Sequence, residues 1–183
     1  MSSNKQAPLS KTQLGIYIEC MNAPEYTLYN LPFLAKLGEG IDTQRLKAAL
    51  EAVVRAHPGL ETQLYLDGEG RVMQRIAEGS CRVEVRELTD AQFEALRSQL
   101  VRPFELLGGC LTRFEIYVTP TARYLFEDFH HIIMDGGTHW MLADELRAAY
   151  DGQALETEPR SGMDVALDEA KAEGGEEYQR AKE

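Results

Sequence analysis

His130-His131-Ile132-Ile133-Met134-Asp135-Gly136 follows directly on the apolar run Tyr124-Leu125-Phe126-Glu127-Asp128-Phe129. The stretch reads as a strand from Arg123 to His131, a tight Asp-Gly turn, and a helix opened by Thr138. Side chains alternate along a strand, so His130 and His131 point to opposite faces. One imidazole then sits in the packed interior. The other faces a cleft, where a group that titrates near neutrality is able to move a proton.

Upstream, Ser10 caps a first helix with Leu14, Ile16, Tyr17 and Ile18, ended by Asn22-Ala23-Pro24. Tyr29 to Leu37 reads as a strand, and Pro32 places it at an edge or a bulge. Asp42 caps an amphipathic helix with Leu46, Ala49, Leu50, Val53 and Val54 on one stripe, stopping near His57-Pro58-Gly59. Leu60 to Leu66 and Arg71 to Ile76 flank Asp67-Gly68-Glu69-Gly70, a hairpin signal. Cys81 to Leu88 alternates as a strand. Thr89 and Asp90 open a helix with Phe93, Leu96 and Leu100, closed at Pro103. Leu111 to Val118 pairs with the strand that ends in the two histidines. The helix after Gly137 has Trp140, Met141, Leu142, Leu146 and Tyr150 as its expected buried set. Beyond Asp151 the chain turns charged, with Met163 to Leu167 and Tyr178 as anchors and Gly174-Gly175 as an interruption. Strands and helices mix without strict alternation, which predicts an α+β or mixed α/β sandwich.

The 183 residues are 44% hydrophobic and 27% charged, which fits one globular domain or one lobe of a larger one. A net charge of −11 repels phosphate backbones and argues against nucleic-acid binding. No apolar run reaches the ~18 residues of a membrane span. The first residues lack the apolar stretch of a signal peptide, so the expected compartment is the cytoplasm. Cys20, Cys81 and Cys110 are widely spaced, suggest neither a metal pair nor a disulfide framework, and read as reduced, mostly buried thiols.

The pattern H-H-x-x-x-D-G at 130–136 resembles the signature of nonribosomal peptide synthetase condensation domains. Epimerization domains and the wider chloramphenicol acetyltransferase-like superfamily share it. Leu9-Ser10-Lys11-Thr12-Gln13-Leu14-Gly15-Ile16-Tyr17 is similar to the opening motif S-x-A-Q-x-R-L-W. Ser10 and Gln13 match, Gly15 stands where Arg is usual, and Tyr17 replaces Trp. Arg55-Ala56-His57-Pro58-Gly59-Leu60-Glu61-Thr62 is similar to R-H-E-x-L-R-T, keeping His57, Leu60 and Thr62, with Glu61 where Arg is usual. The order and spacing fit the N-terminal half of a two-lobed domain. The resemblance implies a chloramphenicol acetyltransferase-like N-terminal lobe over residues 1–155, with a mainly antiparallel sheet and flanking helices. Residues 156–183 then form an acidic connector or helix leading to a missing C-terminal lobe.

The resemblance also implies an activity. An amine held on one carrier domain attacks an acyl or peptidyl thioester held on another, and an amide forms. Phosphopantetheine arms deliver both substrates, and the domain itself holds no metal or organic cofactor. His131 is the catalytic residue, accepting the proton of the amine or holding it in line. His130, Asp135 and Gly136 build the site. His130 packs inward. Asp135 locks the turn by accepting backbone N–H bonds and an Arg. Gly136 supplies a positive φ or close approach of a substrate arm, and Gly137 doubles that freedom. Because Glu61 replaces the usual Arg, the partner of Asp135 becomes Arg113, Arg123 or a residue of the missing lobe. Half of the substrate channel is missing with that lobe, so this chain alone is expected to be inactive. The rivals are an epimerization domain, a coenzyme A-dependent acyltransferase and a non-catalytic carrier-docking module.

A metal site is the competing reading of the same residues. His131, Asp135 and His139 recur every four residues and suit zinc or iron, but Gly136-Gly137 breaks the helix that would align them. His139 is more simply a helix-start residue, Trp140 core, and His57 a partner of the helix dipole.

Overall fold

In the computed structural model of the protein, which describes residues 5–173, the chain forms two sheets with helices packed around them. In chain order the elements are β1 (Gln6–Pro8), α1 (Lys11–Asn22), β2 (Asn30–Lys36), α2 (Thr43–Ala56), a 3-10 turn (Pro58–Glu61), β3 (Thr62–Leu66), β4 (Val72–Ile76), β5 (Val83–Glu87), α3 (Asp90–Arg97), β6 (Thr112–Val118), β7 (Arg123–His130), α4 (Gly136–Tyr150) and α5 (Gly162–Glu173).

The larger sheet has the order β2-β7-β6-β5. The β2/β7 and β7/β6 pairs are antiparallel and the β6/β5 pair is parallel. Pro32 is accommodated because β2 is an edge strand with one neighbour, so its missing N–H breaks no second ladder. The smaller sheet, β1-β4-β3, is antiparallel throughout. Its hairpin closes where Asp67 Oδ1 accepts the N–H groups of Glu69 and Arg71, both at 2.9 Å. Gly70, at φ 79, supplies the left-handed residue this turn requires.

Alternation along β6 and β7 gives the larger sheet two different faces. One carries Phe114, Ile116, Leu125 and Phe129, packed with Leu46, Leu50, Val53, Met134 and Leu142 from α2, the 131–135 turn and α4. Burying each of these large apolar side chains stabilises the fold by roughly 1.5–3 kcal/mol. The opposite face carries Tyr117 and Phe126, covered by Phe93 and Leu100. A third cluster joins the two sheets: Leu64, Phe104, Leu106, Leu111 and Ile132, with Ile16, Tyr17 and Cys20 of α1 against it. The loop that follows the two histidines therefore sits where both sheets and α1 meet. α5 packs on β1, with Met163 and Ala166 buried and Asp164 paired to Lys5.

The sandwich and its mainly antiparallel sheet agree with the sequence reading, as do the caps at Ser10, Asp42 and Thr89. Four points differ. β7 ends at His130, and His131 begins the turn. α3 stops at Arg97 with Ser98 as its cap, well short of Pro103. α4 starts at Gly136 and is capped by Asp135, so it begins two residues earlier than Thr138. Its buried stripe runs through His139 and Leu142, while Trp140 and Met141 are 72% and 62% exposed. Tyr178 and Gly174-Gly175 lie outside the described residues.

Candidate active site

His130 closes β7 on the face away from α2 and α4. It is 4% exposed. Its Nδ1 accepts the Ile132 N–H at 3.1 Å, so the ring proton resides on Nε2, which faces Cys20 Sγ at 3.7 Å. Phe104 meets the ring edge-on, with centroids 5.8 Å apart. Burial, with smaller contributions from the charges of His131 and Arg113, pulls its pKa down to about 4. His130 is thus a neutral packing residue whose hydrogen bond bends the chain into the turn.

His131 lies on the other side of that bend, exposed at the surface. Its backbone is fixed on both sides: its N–H donates to Tyr29 O at 2.8 Å, and Ile133 N–H donates to His130 O at 3.0 Å. The Tyr29 ring stands edge-on to the imidazole at 6.4 Å. A main chain held this firmly with a free side chain is a suitable mount for a proton-handling group.

Asp135 holds the next step of the turn. Its Oδ1 accepts the N–H and the hydroxyl of Thr138, both at 2.8 Å. The Thr138 bonds, backbone first, keep its carboxyl below the usual Asp range, with a small contribution from His131. The expected Arg partner is not found among the described residues: Arg113 is turned to Asp128 and Arg123 sits at the far end of β7. Capping replaces the ion pair, because a helix N-terminus offers free N–H donors to a carboxylate. Gly136 and Gly137 form the first turn of α4 without positive φ. A Cβ at Gly136 would meet nothing within 4 Å, and one at Gly137 would lie 3.3 Å from Asp135 Oδ1. The glycine at 136 therefore relieves neither a steric clash nor backbone strain.

The two other motifs support this turn from below. Ser10 and Gln13 form a capping box on α1, and Gln13 Nε2 reaches across to Ile132 O at 3.0 Å. Gln74, 1% exposed on β4, donates to both Gln13 Oε1 and Pro8 O at 2.9 Å. His57, the C-cap of α2, pairs with Glu145 on α4 and lies 3.7 Å from Glu158. Glu61 accepts the N–H groups of Gly79 at 2.7 Å and Cys81 at 3.4 Å, so it closes the link between β4 and β5. Sequence reasoning missed Gln74, Tyr29 and the reach of Gln13. The S-x-x-Q box was visible, but its second partner lies far along the chain.

Behind His130 is a buried charge network that the sequence did not announce. Arg113 and Asp128, direct cross-strand partners, pair at 2.8 Å. Asn30 donates to the same carboxylate oxygen at 2.7 Å, and the other oxygen, Oδ1, has no partner. Burial outweighs these bonds, raising the Asp128 carboxyl and lowering the Arg113 guanidinium. Arg113 also lies 3.6 Å over the Phe104 ring, which links the network to His130.

The histidines do not converge on a metal. His139 is buried against Phe33, its ring stacked at 3.4 Å, and its Nε2 faces Glu127 Oε2 at 3.0 Å. No group of three or more His, Cys, Asp or Glu among the described residues is placed to hold a metal ion.

A family model of the condensation domain matches residues 3–183. The chain belongs to the condensation domain family. It is 30% identical to surfactin synthase subunit 1 of Bacillus subtilis over 151 residues, covering 81% of this chain and 4% of that protein. It is 33% identical to bacitracin synthase 2 of Bacillus licheniformis over 151 residues, covering 81% of this chain and 6% of that one. The starter condensation domain of rhizomide synthetase superposes with a TM-score of 0.76 at 24% identity, over 97% of this chain and 46% of that chain. The condensation domain of monacolin K polyketide synthase gives 0.79 at 22%, over 96% and 41%. The chain thus spans less than half the length of these solved condensation domains and a few per cent of the synthetases. Its fold is the chloramphenicol acetyltransferase-like fold. No helix among the described residues is long and apolar enough to cross a membrane.

Proposed function

We propose that this chain is the His131-bearing lobe of a condensation domain that joins a carrier-bound acyl or peptidyl thioester to a carrier-bound amine. The observation that carries the reading is His131 itself: exposed, on a main chain fixed by hydrogen bonds on both sides, in the turn that leads to the Asp135 cap of α4. In the reaction the amine nitrogen attacks the thioester carbonyl carbon, the C–S bond breaks, and the thiolate of the donor arm departs. The imidazole of His131 orients the amine, takes its proton and returns it to the sulfur. Both substrates arrive on phosphopantetheine arms of carrier domains, and the lobe holds no cofactor of its own. An exposed imidazole is surrounded by water, and water admitted beside the thioester weakens the site's electrostatics and competes with the amine by hydrolysis. A second lobe closing over His131 is therefore part of the proposal, and the 183 residues alone are expected to be inactive.

The test uses a two-lobe condensation domain containing these residues, with loaded donor and acceptor carriers. His131→Ala is expected to lower amide formation by about 10²- to 10⁴-fold, the usual range for a positioned proton-transfer group. Product formation at the parent rate in that variant would overturn the role. Amide formation by the 183-residue chain alone at the two-lobe rate would overturn the need for a second lobe.

A further inference from the structure

Gln74 stands in the central strand of the smaller sheet, opposite Ala7 on β1 and Leu64 on β3. All three residues are buried. Directly facing residues share one side of a sheet, so a primary amide is set among apolar side chains. A buried amide left without its hydrogen bonds costs about 1–3 kcal/mol. Here the bonds are made. Gln74 Nε2 donates one hydrogen to Pro8 O and the other to Gln13 Oε1, both at 2.9 Å. Gln74 Oε1 accepts from Gln13 Nε2 at 3.3 Å.

The two amides fix each other. Gln13 Oε1 accepts the Ser10 N–H at 2.9 Å beside the Gln74 hydrogen, and Gln13 Nε2 gives its second hydrogen to Ile132 O at 3.0 Å. Turning the Gln13 amide over would set its NH₂ against the Ser10 N–H and its oxygen against the Ile132 carbonyl. Turning Gln74 over would set oxygen against Pro8 O. Each amide thus has one orientation, dictated by its neighbours. The bond that leaves this pair goes to the histidine turn. Inside the turn, Ile132 N–H donates to His130 Nδ1 and Ile133 N–H to His130 O, and these bonds give it its shape. Its place in the fold depends on bonds to other elements. Up to His131 these are His130 N–H to Leu111 O at 2.9 Å and His131 N–H to Tyr29 O at 2.8 Å. Beyond His131 the tie is Gln13. Among the described residues, no other hydrogen bond joins the main chain of 132–135 to an element other than α4.

Resting on the reading of His131 as the group that handles the amine, we propose that Gln13 and Gln74 are positioning residues of the reaction. Gln74 locks the Gln13 amide, and Gln13 locks the main chain on the far side of His131. The imidazole is then held against displacement from both sides. Placement of this kind weighs heavily on rate, because a shift of about 1 Å at a reacting group can cost about 10²-fold. The residue types fit the role. At the third position of α1 a Glu would close the capping box as well as Gln13 does. Only the amide also has hydrogens to give, one to Ile132 O and one to Gln74 Oε1. Packing alone does not call for Gln74 either, since a Met of similar length fills the space with no amide to satisfy.

The test uses the two-lobe domain with loaded carriers. Gln13→Glu retains the cap and the acceptor for Ser10 and Gln74, but it turns an acceptor toward the Ile132 carbonyl. It is expected to lower kcat for amide formation about 10- to 100-fold, with KM for both carriers unchanged within about twofold. Gln74→Met is expected to lower kcat about threefold or more. The double variant Gln13→Glu/Gln74→Met is expected to match Gln13→Glu within about twofold, because Gln74 acts through Gln13. On a His131→Ala background, Gln13→Glu is expected to add no loss beyond about twofold. Losses that multiply on that background would place the effect outside His131 and overturn the proposal, as would a parent kcat in Gln13→Glu while His131→Ala is impaired. His131→Ala at the parent rate would instead remove the reading on which the proposal rests. The 183-residue chain reports placement with no reaction at all, through NMR order parameters of the His131 and Ile132 backbone. They are expected near about 0.85 in the wild type and to fall toward about 0.6 in Gln13→Glu, with a smaller fall in Gln74→Met. Order parameters equal to the wild type in both folded variants would show a turn held without the amide pair, and the proposal would fail.

Discussion

His130 holds fewer protons folded than unfolded, and that difference sets a pH dependence. Its ordinary pKa of 6.5 falls to about 4 in the folded chain, chiefly through burial. Above pH 6.5 the ring is neutral in both states and nothing is lost. Below 6.5 the unfolded chain takes up a proton that the folded chain refuses, so stability falls as the pH drops, until the folded ring titrates near 4. Integrated over that window, the loss is on the order of 3 kcal/mol. His130→Asn retains an acceptor for the Ile132 N–H but does not titrate. It is expected to be less stable than the wild type at pH 7, through the space it leaves beside Phe104. Between pH 7 and 4.5 the gap is expected to narrow by on the order of 2 kcal/mol in urea unfolding. A gap that stays constant with pH would mean that His130 is not held neutral.

At the scale of elements, β6 and β7 are joined by more than their ladder. Arg113 and Asp128 face each other across the strands, and Asp128 is fully buried with one oxygen already unpartnered. Arg113→Met preserves much of the side-chain volume over Phe104 but strands the carboxylate, at a cost of about 3–5 kcal/mol. The double variant Arg113→Met/Asp128→Asn is expected to recover more than half of that loss, because the stranded charge is gone. Chemical denaturation of both variants at pH 7 measures it, and no recovery in the double variant would place the loss in packing over Phe104. This pair was invisible in the sequence because nothing local announces which residues face each other across two strands. α2 was legible for the opposite reason: Asp42, the 3.6-residue stripe from Leu46 to Val54 and the His57-Pro58 stop all act within one element. In α4 the stripe was also present but was outweighed by hydrophobicity. At about 100° per residue, His139, Leu142, Leu146 and Tyr150 fall within an arc of roughly 80°. Trp140 and Met141 fall outside it and emerge into solvent. The period pointed to His139 as the buried residue, and a polar ring was passed over although Glu127 and Phe33 were available to receive it. The turn at 130–136 was legible as strand, bend and helix, whereas the capping role of Asp135 depended on where α4 begins.

Over the whole molecule, charge and exposed apolar surface oppose each other. α1 buries none of its residues fully, and Leu14, Ile18 and Met21 on it are 40%, 54% and 45% exposed. Leu28, just before the Tyr29 that flanks His131, is 73% exposed, and Trp140 near the start of α4 adds to the apolar surface. Apolar side chains this large, clustered in sequence and left to water, favour contact with another apolar surface. The net charge of −11 keeps copies of the chain apart at low ionic strength. Salt reverses the balance: the Debye length shrinks from about 30 Å at 0.01 M to about 3 Å at 1 M, while apolar attraction persists. The 183-residue chain is therefore expected to be monomeric at low salt and to self-associate with rising concentration at high salt in sedimentation velocity. Ile18→Glu combined with Leu28→Glu replaces exposed side chains, so the fold is retained, and it is expected to keep the chain monomeric at both salt levels. A wild type that stays monomeric at high salt and high concentration would mean that α1 and the following loop are too dispersed to act as one apolar surface. They would then also be a poor seat for a second lobe closing over His131.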